Sequence, residues 1–366
     1  MNMRSTFLKP LMLAFLCFLL IPVLLLAAYI GYTQHAGRTV DLAVLLPLAG
    51  GGFAAGYFGF VRVAKAFRRR FQTILSGMNE MLEGERRQLQ SNIAITSADE
   101  FGKLGEAFND LQAYIAEKYA GVERELQLAY AIQNNLLPTG VREIGGFRIA
   151  AACRQTIEVG GDLCDIVQLA DGKVAVIVGD VAGKGMQAAL IMSAAMALFR
   201  REVRKGGTAG EVLTGLNRMV FRALQGRSYV TAGLAILDTG KGVVEYAGAG
   251  HLSPYMLRGD ALEEVEMPSL PLGIVGEAAY RNRHIELPPG SKLFMLTDGM
   301  IEAEAADGEM IGFERFEILL GELSPDWPIE RQAEALMEWT ATARGSGRTD
   351  DRTIVIIESR TPSPLL

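Results

Sequence analysis

The chain has 366 residues, 49% of them apolar, with a mean hydropathy of +0.19 and a formal net charge of −6. The acidic balance gives no basic footprint for nucleic acid, and the hydropathy is high for a protein lying wholly in water, so a membrane part is expected. Three cysteines without CxxC spacing (Cys17, Cys153, Cys164) argue against a disulfide framework or a thiolate zinc site. Only His35, His251 and His284 could supply imidazole, so a metal here should be oxygen-ligated, which favours magnesium or manganese. Residues 10–34 and 42–61 carry no Asp, Glu, Lys or Arg, and each is long enough to cross a ~30 Å hydrocarbon layer. Gly52-Phe-Ala-Ala-Gly56 is a small-xxx-small pattern suited to close helix contact. Arg4 and Lys9 flank the first span, and Arg62, Lys65, Arg68, Arg69 and Arg70 flank the second. Basic flanks stay in the cytoplasm, so the expected topology is a two-pass hairpin in the inner membrane with both chain ends inside.

Residues 65–118 read as two amphipathic helices and a connector. Phe67, Phe71, Ile74, Met78 and Met81 follow helical spacing up to Gly84; Leu89, Ile93 and Ile95 lie in the connector. Ser97 or Asp99 can cap a second helix, in which Phe101, Leu104, Phe108, Leu111 and Ile115 alternate threes and fours. With Asp99-Glu100-Phe101-Gly102-Lys103-Leu104, this segment resembles a HAMP signal-relay domain, although no proline lies between Pro47 and Pro138. The stripe runs on through Tyr119, Val122, Leu126, Ala129, Ile132 and Leu136, with a stutter where two steps of four follow each other at Ile115 and Tyr119. A helix with that stripe and nothing to bury it against implies a parallel homodimer. The expected divisions are 1–64, membrane hairpin; 65–118, HAMP; 119–138, linker helix; and 139–360, catalytic domain.

Beyond Pro138, strands are expected at 146–154, 165–169 and 173–178, helices at 186–204 and 211–224, and strands at 229–238, 243–249, 254–258 and 262–265. A hairpin at 283–287 and 292–296 around Pro289-Gly290, helices at 313–323 and 329–343, and a last strand at 352–358 complete the chain; residues 361–366 read as a disordered tail. Val174–Val178 is apolar without a break and should be buried on both faces. Four strand ends carry aspartate: Gly160-Gly161-Asp162, Gly179-Asp180, Asp298-Gly299 and Asp350-Asp351. One such aspartate is ordinarily a turn residue bonding its own backbone. Four of them are a candidate set of hard-cation ligands.

Seven blocks in this order resemble the SpoIIE-like branch of the PPM (type 2C) metal-dependent serine/threonine phosphatases. They are Ala131-Ile132-Gln133-Asn134-Asn135-Leu136-Leu137-Pro138, Val159-Gly160-Gly161-Asp162, Gly179-Asp180-Val181-Ala182-Gly183-Lys184-Gly185, Ala249-Gly250-His251, Pro271-Leu272-Gly273, Thr297-Asp298-Gly299 and Asp350-Asp351-Arg352-Thr353. The resemblance implies an α+β, four-layer αββα sandwich and two divalent cations, Mn²⁺ or Mg²⁺. Asp180 would bridge both ions with the Val181 carbonyl, Asp298 and Asp350 would complete one shell, and Asp162 would act directly or through water; Asp351 is the alternative ligand to Asp350, which fits the family spacing better. Lys184, between Gly183 and Gly185, is a candidate contact for the phosphoryl group. His251 is either a proton donor to the leaving oxygen or a structural histidine, and Asp165 either a further ligand or a turn residue. Ile132, Gln133, Leu136 and Leu137 form a candidate regulatory block. The substrate implied is a phosphorylated partner protein of the anti-sigma-factor antagonist (STAS) kind. Two other readings compete. A phosphatase-like docking module would have lost a ligand position, and all four are filled. A diguanylate cyclase would need Glu-Phe after Gly-Gly-Asp, where Leu163-Cys164 stands.

Overall fold

A computed structural model of the chain describes residues 8–83, 94, 100–155, 159–304, 309–340 and 350–360. Gly84, the connector residues Leu89, Ile93 and Ile95, the caps Ser97 and Asp99, and the tail 361–366 lie outside the described residues. The chain divides into two compact units, Met1–Arg124 and Glu125–Leu366, with the boundary inside one helix rather than at either end of the expected linker.

In the first unit, α1 (Leu8–His35) and α2 (Leu42–Glu83) pack as a hairpin. Both are long and apolar enough to cross a membrane. Asp41 starts α2 by accepting the Ala43 amide at 2.8 Å. The small-residue pattern does what its spacing suggests: a Cβ on Gly52 would lie 3.1 Å from Pro22 Cα, and one on Gly56 would lie 2.9 Å from Phe18 Cα. Glycine is what lets the two backbones approach. α2 runs without interruption from the apolar span into the amphipathic segment, as a stretch lacking an internal proline after Pro47 allows. α3 (Glu100–Asn134) begins beside it, with Phe67 and Phe101 edge to face at 5.2 Å and Ile74, Phe108 and Gln112 buried. Most of the α3 stripe stays exposed in a single chain, including Leu104, Leu111, Tyr119, Val122 and Ile132.

The second unit is the expected αββα sandwich. One sheet has the order β1 (Gly140–Ile144), β2 (Phe147–Arg154), β11 (Arg352–Ser359), β10 (Lys292–Leu296), β7 (Tyr255–Arg258), β8 (Ala261–Glu264). The other runs β3 (Leu163–Gln168), β4 (Val174–Val181), β5 (Val230–Asp238), β6 (Val243–Ala249), β9 (Arg283–Glu286). Every paired strand is antiparallel. α4 (Met186–Val203) and α5 (Ala209–Leu224) cover the second sheet; α6 (Gly312–Gly321) and α7 (Ile329–Trp339) close a separate core over the first. The unbroken Val174–Val178 run lies between β3 and β5 and is fully buried, as expected.

Three details depart from the sequence reading. β1 was not expected: Gly-Val-Arg-Glu-Ile is a short, largely exposed edge strand with no apolar alternation to betray it. α5 starts two residues early because Thr208 and Glu211 form a capping box. Arg283–Glu286 and Lys292–Leu296 are not a hairpin, since β9 pairs with β6 in one sheet while β10 lies between β11 and β7 in the other. Pro288 and Pro289 have no amide hydrogen to continue a ladder, and the fully buried β10 finds more cover mid-sheet than it would at an edge.

Candidate metal centre

The four aspartate-bearing strand ends meet at one pole, where the two sheets face each other. Asp162 enters β3, Asp180 is the penultimate residue of β4, Asp298 opens the 3-10 turn after β10, and Asp350 stands two residues before β11. The sheets are tied there by side chains. Thr297 donates its hydroxyl to Asp162 Oδ2 at 2.8 Å and accepts the Thr353 amide at 3.0 Å. Gly161 N–H donates to Asp351 Oδ2 at 2.9 Å. Lys184 Nζ lies 2.6 Å from Asp350 Oδ2.

Burial and mutual repulsion shape the electrostatics. Burial, then the neighbouring charges of Asp298 and Asp350, push Asp180 up to about 7, against the pull of the Val181 amide. Asp162 is raised well above the carboxylate range by burial and by Asp180, with the Thr353 and Thr297 hydroxyls opposing. Asp298 is raised by burial and by Asp350. Glu302, one turn after Asp298, is raised by burial and by Asp298 and Asp350.

The donor set fits hard cations. It is all oxygen, and Gly161 has the shape such a site needs: a Cβ there would lie 2.9 Å from Asp180 Oδ1 and 3.1 Å from the Val181 carbonyl oxygen, two of the expected ligand atoms. Among the described residues no three Asp, Glu, His or Cys side chains lie close enough together to hold a metal ion as they stand; the aspartates border the pole from four strand ends instead. The neighbouring aspartates divide by environment. Asp351 is 8% exposed and its carboxylate is spent on the Gly161 amide, while Asp350 turns towards Lys184.

Other expected residues are sorted as clearly. His251, half-buried, pairs through Nδ1 with Thr231 Oγ1 at 3.0 Å, and desolvation, opposed by a bond to the Leu296 backbone, pushes it down to about 4. Asp165 is buried against Arg200, whose Nε lies 2.6 Å from Oδ2, and does not join the pole. The regulatory block splits. Gln133, 3% exposed, grips Gly160 twice: its Nε2 donates to the Gly160 carbonyl at 2.6 Å and its Oε1 accepts the Gly160 amide at 3.0 Å. Leu137 is buried in the core, Leu136 packs on its edge and receives Arg200 Nη2 on its carbonyl at 3.4 Å, and Ile132 points away, 66% exposed.

Sequence reasoning did not single out Thr297, Thr353, Glu302 or Arg200 as site or support residues. Glu302 was findable from its one-turn spacing to Asp298. Arg200 had no signal, because its partner is 35 residues away in the chain.

The family model described as Stage II sporulation protein E (SpoIIE) matches residues 170–360, more than half the chain. This chain belongs to the SpoIIE family. The match includes Asp180, Asp298 and Asp350 and begins after the Gly160-Gly161-Asp162 turn. Phosphoserine phosphatase RsbP of Bacillus subtilis is 26% identical over 190 residues, covering 50% of this chain and 47% of its own length. Phosphoserine phosphatase RsbU of the same organism is 26% identical over 189 residues, covering 51% and 56%. The chain thus spans about half the length of these curated relatives. The PP2C domain of SiaA from Pseudomonas aeruginosa superposes with a TM-score of 0.58 at 25% identity, over 66% of this chain and 99% of that domain. The SpoIIE-family unit therefore has a PP2C-like fold.

Proposed function

We propose that this SpoIIE-family chain is a membrane-anchored, metal-dependent phosphatase that removes phosphate from phosphoserine or phosphothreonine on a partner protein. The observation that carries the reading is the arrival of Asp162, Asp180, Asp298 and Asp350 from four strand ends at one pole between the sheets. Two curated relatives are phosphoserine phosphatases by name, which supports the same activity here. Asp180, Asp298, Asp350, Asp162 and the Val181 carbonyl would hold two Mn²⁺ or Mg²⁺ ions. When bound, such ions supply a water of lowered pKa and neutralise charge on the phosphoryl oxygens. Thr297 fixes the Asp162 carboxylate, and Asp351 fixes the turn that carries it. In this reading Asp351 is a positioning residue and Asp350 the ligand. The partner is a phosphorylated STAS-type antagonist, a choice that rests on the family resemblance.

Regulation would enter through α3. Gln133 holds both backbone groups of Gly160, so a shift of α3 moves the Gly-Gly-Asp turn. The exposed stripe supports a homodimer through a HAMP-like segment and coiled coil, and the basic flanks support a cytoplasmic catalytic unit. The test is release of phosphate from a phosphoserine peptide by the full-length protein in detergent, with Mn²⁺ added or chelated. Mn²⁺-dependent release that Asp180→Asn abolishes is expected. Mn²⁺ binding without hydrolysis of any phosphopeptide or phosphorylated STAS protein would favour the docking-module reading.

A further inference from the structure

Cys153 and Cys164, two of the chain's three cysteines, face each other across the gap between the sheets. The placement follows from strand alternation. Asp162 reaches across the gap to Thr297 at 2.8 Å, while Asp165 points the other way, to Arg200 of α4. Successive side chains of a strand take opposite faces, so Cys164, two residues after Asp162, points at the first sheet as Asp162 does. On that sheet, Thr353 donates its amide to Thr297, and its hydroxyl acts on Asp162. Thr353 lies directly opposite Cys153 in the β2–β11 register. Residues opposite each other on paired antiparallel strands share a face. Cys153 therefore looks into the gap beside the point where Asp162 meets Thr353.

The two thiols differ in access. Cys164 is fully buried in the core, and Cys153, half-buried, packs against that same core. Cys164 also acts on Cys153 as a hydrogen-bond donor, the largest influence on that thiol, and draws its pKa down against burial. One sulfur is thus reachable and readier to ionise, and the other stands behind it. That is the arrangement of an attacking thiol with a resolving partner. A single buried cysteine is ordinary small apolar packing. Packing alone does not call for sulfur at both positions of a pair that meets across two sheets.

We propose that Cys153 and Cys164 are an oxidation site, at which hydrogen peroxide converts the pair into a disulfide tying β2 to β3 across the two sheets. In the first step the Cys153 sulfur attacks one peroxide oxygen. An S–O bond forms, the O–O bond breaks, and the departing oxygen takes the thiol proton and leaves as water. In the second step the Cys164 sulfur attacks the sulfenic sulfur. An S–S bond forms, the S–O bond breaks, and the oxygen leaves as water with the Cys164 proton. The two thiols lose two electrons and the peroxide gains them. A dithiol reductant reopens the bridge by exchange. In the reducing cytoplasm, where the proposed topology places this unit, such a bridge is transient and reports oxidant. Cys164 belongs to the strand that leaves the Gly160-Gly161-Asp162 turn, so closure pins that strand to the opposite sheet.

The test treats the folded full-length protein in detergent with hydrogen peroxide, then alkylates the remaining thiols under denaturing conditions and maps a tryptic digest by mass. Cleavage after Arg154 puts the two cysteines on separate peptides. Peroxide should remove both thiols and yield one linked pair, Cys153 to Cys164, lighter by two hydrogens than the separate peptides and reopened by dithiothreitol. Cys164→Ala should stop Cys153 at the sulfenic acid, captured by dimedone. Cys153→Ala should leave the buried Cys164 reduced at the same peroxide concentration. The proposal is overturned if folded wild type gives no linked pair, if the pair forms only in denatured protein, or if Cys164 is oxidised as readily in Cys153→Ala. The wild-type linkage decides the matter by itself if either variant fails to fold. Phosphate release plays no part in the readout, so the outcome is independent of the phosphatase reading.

Discussion

The Gly160-Gly161-Asp162 turn has two supports of different character. On one side, Asp351 accepts the Gly161 amide from a residue one position before β11, a strand that lies buried between two neighbours. On the other, Gln133 pairs with Gly160 from near the end of α3, whose apolar stripe is left largely uncovered by its own chain. The Asp351 support is as fixed as the core. The Gln133 support is as fixed as whatever packs on α3. On the proposed reading, a turn held rigidly on one side and through a helix stripe on the other would let activity be graded without unfolding the domain.

The largest effect should come where both supports converge. Asp180→Asn should abolish turnover with the thermal midpoint retained, because the residue lies at the pole and not in the core; normal turnover would remove the pole from the chemistry. The supports themselves come next. Gln133→Ala and Asp351→Ala should each cost roughly 10–100-fold in activity or metal affinity, the range for groups that orient ligands. They should differ in what restores activity. If α3 pairs as proposed, locking the pair with a designed crosslink should matter for wild type and leave Gln133→Ala unmoved, since the link is already cut. Phase offers a finer separation: deleting Gly121 rotates the downstream helix by about 100°, whereas deleting seven residues between Tyr119 and Leu126 restores the heptad. Activity of the full-length protein should change in the first and largely survive in the second; equal activities would make α3 a passive tether.

Stability should report the same contrast. Leu216→Ala in α5, fully packed against its sheet, should cost about 2–5 kcal/mol, while Val122→Ala on the α3 stripe should change the unfolding of the catalytic unit by less than about 0.5 kcal/mol and instead weaken self-association. The pH dependence of metal-free protein is the smallest effect. Asp180 binds its proton more tightly folded than unfolded, up to about 7, so its contribution is full below the unfolded carboxylate value and is lost as pH rises towards 7. Asp180→Asn should therefore stabilise chelated protein at pH 8 by on the order of 1–3 kcal/mol and have little effect at pH 4. A variant equally affected at both values would mean the repulsion is absent.

Much of this was legible in the residues. The apolar spans, the Gly52–Gly56 contact, the buried Val174–Val178 strand and the four aspartates at glycine-bearing strand ends all rest on local spacing, and local spacing is written along the chain. The same holds for Gln133, which sits in a recognisable block. What spacing cannot say is which strand lies beside which. The Arg283–Glu286 and Lys292–Leu296 strands look like a hairpin because they are close in sequence, yet they join different sheets. For the adjacent aspartates, spacing favoured Asp350 only through the family resemblance; the chain entering β11 is what sends one carboxylate towards Lys184 and the other into the Gly161 amide.

The sequence by itself determined most of the elements, the two helices apolar and long enough to cross a membrane, and the residue types able to hold hard cations, because those depend on neighbours a few positions apart. Only the tertiary structure decided that Gln133 grips Gly160, that Arg200 takes Asp165 out of the site, that His251 pairs with Thr231, and that Lys184 rests on Asp350. Each of these is a contact between residues 20 to 166 positions apart. Such contacts are set by how two sheets pack and close on one pole, a matter of burial and geometry that no local pattern encodes.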